Sequence, residues 1–285
     1  MNYLYAVLLG IIEGITEWLP ISSTGHLILA NEFIQMEAEA AFLEMFDVVI
    51  QFGAILAVVV VFWHKLWPFC YRPENRGFID RWCRRDVWEM WFHVLAAIVP
   101  SAVIGLPLDD WMTEHLHNPP VVSAMLILYG VFFIIMEHTV GLHRPAVRRI
   151  NQINYRMALF IGFFQLLALV PGTSRSGATI LGAMLIGCSR TVSAEFTFYL
   201  AVPTMAGASA IKIIKFFAEG NEFKNSEMAT LLIGCLTAFL VSLGCIKFLM
   251  NFVKRHDFKV FGWYRIVLGA LVLIYFLVLK TPAAA

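Results

Sequence analysis

EGITEWLPISSTGH, residues 13–26, interrupts an apolar run that extends from residue 3 to residue 34. The run is too apolar for a solvated loop, yet Pro20, Ser22, Ser23 and Gly25 break it near its middle. A second run, residues 157–190, is broken in the same way by PGTSRSGATI at 171–180. Irregular backbone at membrane depth is tolerated only where protein or a watery cavity surrounds it. Both breaks are therefore predicted to lie inside the molecule, each within a re-entrant helix pair that enters and leaves on one side.

Working outward, six further apolar stretches are long enough to cross a hydrocarbon core, which takes roughly 20 helical residues. They are 45–63, 87–108, 119–136, 194–217, 229–250 and 263–279. The composition agrees: of 285 residues, 60% are hydrophobic and 14% charged, which excludes an ordinary soluble domain. The net charge of +1 leaves no global basic excess of the kind that binds nucleic acid. The fold class expected is an all-α polytopic membrane protein of six transmembrane helices and two re-entrant pairs. Met1–Leu9 lacks a basic segment and is followed by Glu13 and Glu17, so a cleaved signal is not expected. The five cysteines, Cys70, Cys83, Cys188, Cys235 and Cys245, have no CxxC spacing and read as buried free thiols.

Loop charge separates by sign. Residues 64–86, 137–156 and 251–262 hold 13 Lys and Arg, whereas 31–47, 109–118 and 218–228 hold acids and only Lys224. By the positive-inside rule the first set faces the cytoplasm. A shift of 152 residues places Gly10 on Gly162, Glu13 on Gln165, Ser22 on Ser174, Thr24 on Ser176 and Gly25 on Gly177. Each unit is then a re-entrant pair followed by three spans, and an odd number of spans inverts the second unit. A single membrane domain, residues 1–285, with inverted repeats at approximately 1–136 and 157–279 is expected. Such repeats bring their breaks together near the midplane to form a site.

The breaks carry the chemistry. Glu13 and Glu17 are four apart and share a helix face. Intramembrane carboxylates are costly and read as functional. Paired oxygen ligands suit a divalent cation, Mg²⁺ or Ca²⁺. Ser22, Ser23 and Thr24 supply hydroxyls, and His26 is near enough in sequence to serve as a base. In the second break Arg175 is a guanidinium at membrane depth among Ser174, Ser176, Gly177 and Thr179. A hydroxyl-rich turn that opens a helix presents N–H groups to an anion, and an arginine adds a fork that matches phosphate. The other seven histidines lie beside loops or alone in a span, as His93 does. Arg190 and Glu195 read as an exposed ion pair or cap, and Lys212 and Lys215 as snorkelling side chains.

The two motifs, in this order, resemble the signatures of the bacterial undecaprenyl pyrophosphate phosphatase family, also known for bacitracin resistance. FDVVIQFGAILAVVV at 46–60 and SAEFTFYLAVPTMAGA at 193–208 fit as well, so the resemblance covers essentially the whole chain. It implies hydrolysis of undecaprenyl diphosphate to undecaprenyl phosphate and inorganic phosphate, dependence on a divalent cation, and a multi-pass protein of the bacterial plasma (inner) membrane. It also implies a site open to the outer, periplasmic face. By matching position it implies catalytic roles for Glu17, Ser23, His26 and Arg175, and metal ligation by Glu13 and Glu17. Ser22, Thr24, Ser174, Ser176, Gly177 and Thr179 would bind the substrate.

The alternative from another class is an inverted-repeat transporter or flippase for a lipid phosphate or an anion, built on the same broken helices. Nucleophile, base and acids in one segment favour catalysis, because transport needs no activated hydroxyl. The phosphatidic-acid phosphatase superfamily also uses SGH and SR elements, but its other motifs have no counterpart here. Small residues in GAILA and AGASA permit close packing, either in a homodimer or within one chain.

Overall fold

A computed structural model describes residues 1–70, 82–140 and 143–279. Arg72, Arg76 and Arg81 of the first basic loop, and the tail from Thr281, lie outside the described residues. Among the described residues eleven α-helices of at least 11 residues organise the chain, besides a single turn at Trp63–Leu66: α1 (Asn2–Thr16), α2 (Ser23–Phe33), α3 (Ala40–Val61), α4 (Arg85–Pro100), α5 (Leu106–Leu116), α6 (Pro119–Thr139), α7 (Tyr155–Leu166), α8 (Arg175–Leu185), α9 (Arg190–Ala218), α10 (Asn225–Phe252) and α11 (Lys259–Ile274). Among the described residues the only β contacts are two isolated bridges. A π turn at Ser101–Gly105, just after Pro100, joins α4 to α5.

Six helices are long and apolar enough to cross a membrane: Ala40–Val61, Arg85–Leu108, Pro119–Thr139, Arg190–Ala218, Asn225–Phe252 and Lys259–Leu277. They coincide with the six expected stretches, and the chain is a multi-pass membrane protein. The remaining apolar helices α1, α2, α7 and α8 have 15, 11, 12 and 11 residues, short of the roughly 20 a crossing requires. Side-chain caps fix several starts. Asn118 accepts the Val121 N–H at 3.1 Å ahead of Pro119 and Pro120, and Asn154 accepts the Met157 N–H at 3.0 Å.

Of the short helices, α2 and α8 pack mainly on helices near them in sequence, whereas α1 and α7 pack on helices distant in sequence. α1 lies along α10, and α7 lies along α4. Both contacts depend on a glycine at the same place in the shifted sequence. A Cβ on Gly10 would sit 2.7 Å from the Gly234 carbonyl oxygen, and one on Gly162 would collide with the Ala97 carbonyl. The crossing of α6 and α11 is closer still to a mutual fit: a Cβ on Gly130 would lie 2.6 Å from the Gly262 carbonyl, and one on Gly262 2.7 Å from that of Gly130. In lipid, where apolar surface gives no net drive, such close backbone approach is what holds helices together.

Charged side chains at the helix ends find partners the sequence did not suggest. Arg190 pairs with the buried Glu137, which also accepts the Phe258 N–H at 2.9 Å. Glu195 pairs instead with Lys65 at 2.8 Å, so Arg190 and Glu195 are each engaged elsewhere. Lys212 reaches Glu44 at 2.6 Å. His93 is buried edge-on against Tyr155, with ring centroids 4.4 Å apart. All five cysteines are free, but only Cys188 is fully buried, and burial pushes its thiol up to about 12.

Gly130→Val should lower the thermal midpoint of the detergent-purified protein, since overpacking of this kind costs roughly 1–3 kcal/mol. Gly207→Ala, at a position with nothing within 4 Å of an added Cβ, should leave that midpoint unchanged.

Candidate active site

The two breaks meet inside the helix bundle. Each ends in a serine whose backbone is left-handed, Ser22 at φ 74° and Ser174 at φ 69°. No other non-glycine residue among those described has positive φ. A residue held there costs of order 1–3 kcal/mol, and such strain collects at functional sites. In each case the hydroxyl caps the helix that follows. Ser22 Oγ accepts the Gly25 N–H at 3.4 Å, and Ser174 Oγ accepts the Gly177 N–H at 3.2 Å. The N-termini of α2 and α8 are thereby presented to the same interior, with their N–H groups and positive dipole ends.

Glu17, the C-terminal cap of α1, joins the two motifs. Its Oε1 accepts from Arg175 Nη2 at 2.6 Å, and its Oε2 accepts from Ser23 Oγ at 2.9 Å. Its carbonyl oxygen accepts from Ser176 Oγ at 3.1 Å. Glu17 is 7% exposed, so serine hydroxyl, carboxylate and guanidinium form a chain sheltered from solvent. Ser174 and Ser176 are linked at 3.2 Å, and Thr179 bonds back to the Arg175 carbonyl at 2.9 Å and across to Thr197 at 2.9 Å. Thr24 stands in the first turn of α2, partly exposed.

His26 lies one turn beyond Ser23, but its ring is turned elsewhere. Nδ1 faces the Ser22 carbonyl at 2.7 Å and Nε2 faces the Tyr264 hydroxyl at 2.7 Å. A carbonyl only accepts, so Nδ1 carries the proton, and in the neutral ring Nε2 accepts from tyrosine. The two rings stack, 5.6 Å apart and 8° from parallel. Ser23 gives its proton bond to Glu17, not to His26.

Glu13, one turn before Glu17, is wholly buried, and its carboxyl faces that of Glu17 within hydrogen-bonding reach, an arrangement that calls for a shared proton or a cation. Arg175 Nη1 is buried without a partner. Asp47 of α3 acts on Glu13 electrostatically and bonds Asn31 of α2. Among the described residues no three His, Cys, Asp or Glu side chains cluster closely enough to cage a metal by themselves. Two hard carboxylates with unused lone pairs nevertheless fit a divalent ion that takes its other ligands from water and phosphate.

Sequence reasoning missed Arg265 and Tyr264. Arg265 of α11 is 0% exposed and donates to the carbonyls of Pro20 at 3.3 Å, Gly172 at 2.8 Å and Thr173 at 2.8 Å. Its guanidinium also lies 5.6 Å from the Tyr129 ring centroid. One side chain thus ties both interrupted backbones together. The available signal was an arginine inside the predicted span 263–279.

Fold and site together define a polytopic membrane protein with a buried polar centre assembled from two broken helices. The chain belongs to the bacitracin resistance protein BacA family, whose model matches residues 6–271. It is 56% identical over 274 residues to the undecaprenyl-diphosphatase of Enterococcus faecalis, covering 96% of this chain and 97% of that protein. It is 54% identical over 271 residues to the undecaprenyl-diphosphatase of Lactiplantibacillus plantarum, covering 95% and 96%. To that of Acetivibrio thermocellus it is 53% identical over 280 residues, covering 98% and 100%.

Arg265→Met should destabilise the protein by about 3 kcal/mol, because a buried charge-assisted hydrogen bond is worth roughly 1.5–3 kcal/mol and carbonyls in both breaks lose their donor. Arg265→Lys should recover only part of that loss, since an ammonium lacks the fork that spans two strands of carbonyls. Thermal unfolding in detergent reads both, and a methionine variant as stable as the parent would refute the clamp.

Proposed function

We propose that this protein hydrolyses undecaprenyl diphosphate to undecaprenyl phosphate and inorganic phosphate, recycling the lipid carrier for peptidoglycan synthesis. The observation that carries this reading is the Glu17 carboxylate shared by a serine hydroxyl and an arginine at the mouths of two helix N-termini. Transport of an anion would not call for a hydroxyl bonded to a buried carboxylate. The names of the relatives, at more than half identity over nearly the full chain, support the same reaction.

Arg175 and the N–H groups of α8 hold the terminal phosphoryl group, with Ser174, Ser176, Gly177 and Thr179 shaping that cradle and Ser22 and Thr24 facing it from α2. Ser23 Oγ attacks the terminal phosphorus as its proton passes to Glu17, to which it is already bonded. The Oγ–P bond forms and the bridging P–O bond breaks, releasing undecaprenyl phosphate. Glu17 gives that proton to the departing undecaprenyl phosphate; water then attacks the phosphoserine, the emptied Glu17 takes a proton from the water and passes it to Ser23 Oγ as the Oγ–P bond breaks and phosphate departs. His26, held by Ser22 and Tyr264, either positions this turn or activates the water. Charge stabilisation follows the general logic of phosphoryl transfer, in which positioning and electrostatics do most of the work.

Glu13 and Glu17 are two carboxyls side by side in a buried centre, and a diphosphate entering it brings further negative charge. A divalent cation, Mg²⁺ or Ca²⁺, held by Glu13 and Glu17 would supply the missing positive charge and polarise phosphate oxygens. The polyprenyl tail stays among lipid-facing aliphatic side chains. The loop charges support a plasma-membrane protein with basic loops in the cytoplasm and a site reached from the outer face. The matched glycines and serine caps of the two halves support inverted repeats at approximately 1–136 and 157–279, with α1–α2 and α7–α8 as re-entrant pairs. Homodimer formation through the open AGASA face of α9 completes the proposal, since GAILA is packed against Cys235 within the chain.

Glu17→Gln keeps the side-chain volume but removes the proton acceptor and the ion pair, and should lower phosphate release by at least about a hundredfold. Ser23→Ala should do the same and should abolish any phosphoprotein trapped by rapid acid quench. Near-normal turnover by Ser23→Ala would establish direct attack by water instead. Chelator should stop phosphate release, and added Mg²⁺ or Ca²⁺ should restore it in the parent protein but not in the Glu13→Ala/Glu17→Ala pair.

A further inference from the structure

At the end of the molecule that carries the basic loops, remote from the two breaks, a cavity of about 300 Å³ opens between α6, α8, α9 and the turn after α10. Its walls are built rather than incidental. The loop before α7 is stitched to the loop before α9 by two backbone hydrogen bonds, from the Val147 N–H to the Gly187 carbonyl at 3.0 Å and from the Ser189 N–H to the Val147 carbonyl at 2.8 Å. Ser189 also caps α9, accepting the Val192 N–H at 3.3 Å, and so the N-terminus of a 29-residue helix opens on the cavity.

Cations converge on this space. Arg144, Arg190 and Lys254 line it. Glu137 neutralises Arg190, and the nearby Asp257 is held by Lys259 at 3.5 Å. Arg144 and Lys254 have no acidic partner among the described residues. Both side chains are exposed at the rim of the cavity, and an anion seated there is attracted by each of them and by the positive end of α9. Met184 and Val253, both buried, give the cavity an apolar wall continuous with the helix bundle. Basic pockets between transmembrane helices at the cytoplasmic interface are the kind that hold phosphate-bearing lipid head groups.

We propose that this cavity is a second phosphate-binding site, distinct from the hydrolytic centre, that takes the phosphodiester of an anionic lipid in the leaflet beside the basic loops or a free phosphate ion. It does not depend on the hydrolytic reading. Delipidated full-length protein in detergent, titrated with phosphatidylglycerol and followed by native mass spectrometry, tests it. Arg144→Ala with Lys254→Ala should weaken binding roughly tenfold or more, given about 1 kcal/mol per surface cation. Arg149→Ala with Arg156→Ala, equal in charge and outside the cavity lining, in the loop before α7 and in its first turn, should bind as the parent does. Zwitterionic phosphatidylcholine should bind weakly to all three. Displacement of phosphatidylglycerol by millimolar inorganic phosphate identifies the free ion as an occupant, and failure to displace it identifies the lipid. Equal affinity in the parent and the Arg144/Lys254 pair, equal losses in both pairs, or equal binding of the two lipids overturns the site. Should the alanine pair aggregate on gel filtration, Arg144→Gln with Lys254→Gln carries the same comparison.

Discussion

A helix interrupted where no water reaches leaves backbone carbonyls and N–H groups that must find partners inside the protein. The rest of this structure follows from meeting that demand twice. On the N–H side, Ser22 and Ser174 accept strained backbone conformations so that their hydroxyls can cap α2 and α8. On the carbonyl side, Arg265 spends its guanidinium on Pro20, Gly172 and Thr173, drawing donors for both breaks from one residue of α11. Having a single clamp for two breaks fixes their separation. That separation is what sets Glu17 against Arg175 at 2.6 Å.

The two breaks share a frame and differ in chemistry. Under the shift of 152, Ser22 and Ser174 keep the same cap, and Gly25 and Gly177 the same N–H donor. Ser23 and Arg175 occupy the next position in each, Glu17 falls on Leu169, and His26 on Ala178. One half thus holds the hydroxyl and the acids, and the other the guanidinium. Reaction at a phosphoryl group needs a nucleophile on one side and charge stabilisation on the other, so two alike backbones supply the geometry and unlike side chains supply the polarity.

Much of this was legible in the sequence, because spans and breaks are local properties: 20 apolar residues or a Pro, Gly and Ser cluster are visible within one window. The six spans, the acidic pair and Arg175 fall into that class. What was hidden is long-range. Arg265 sits among apolar residues and looks like an end-of-span anchor until its partners, more than 90 residues away, are known. Tyr264 is 238 residues from His26, and proximity in sequence favoured His26 over Glu17 as the partner of Ser23, although helix geometry turns the imidazole away. Arg190 likewise passed over Glu195, five residues on and on another part of the helix surface, for Glu137 across the bundle.

The Glu17–Arg175 pair also shows why a buried charge pair should not be read as a source of stability. Desolvating a carboxylate and a guanidinium costs several kcal/mol each, and apolar replacements of similar volume are often neutral or stabilising. The arrangement here is poorer still for stability, since Arg175 Nη1 is buried without a partner and the buried Glu13 carboxyl lies against that of Glu17. A core selected for stability alone would have filled these positions with leucine, as the repeat does opposite Glu17 at Leu169. A donor left unsatisfied inside a bundle is instead a group waiting for a ligand. Arg175 Nη1 is a buried donor with no acceptor, and a phosphate oxygen is the kind of group that would satisfy it.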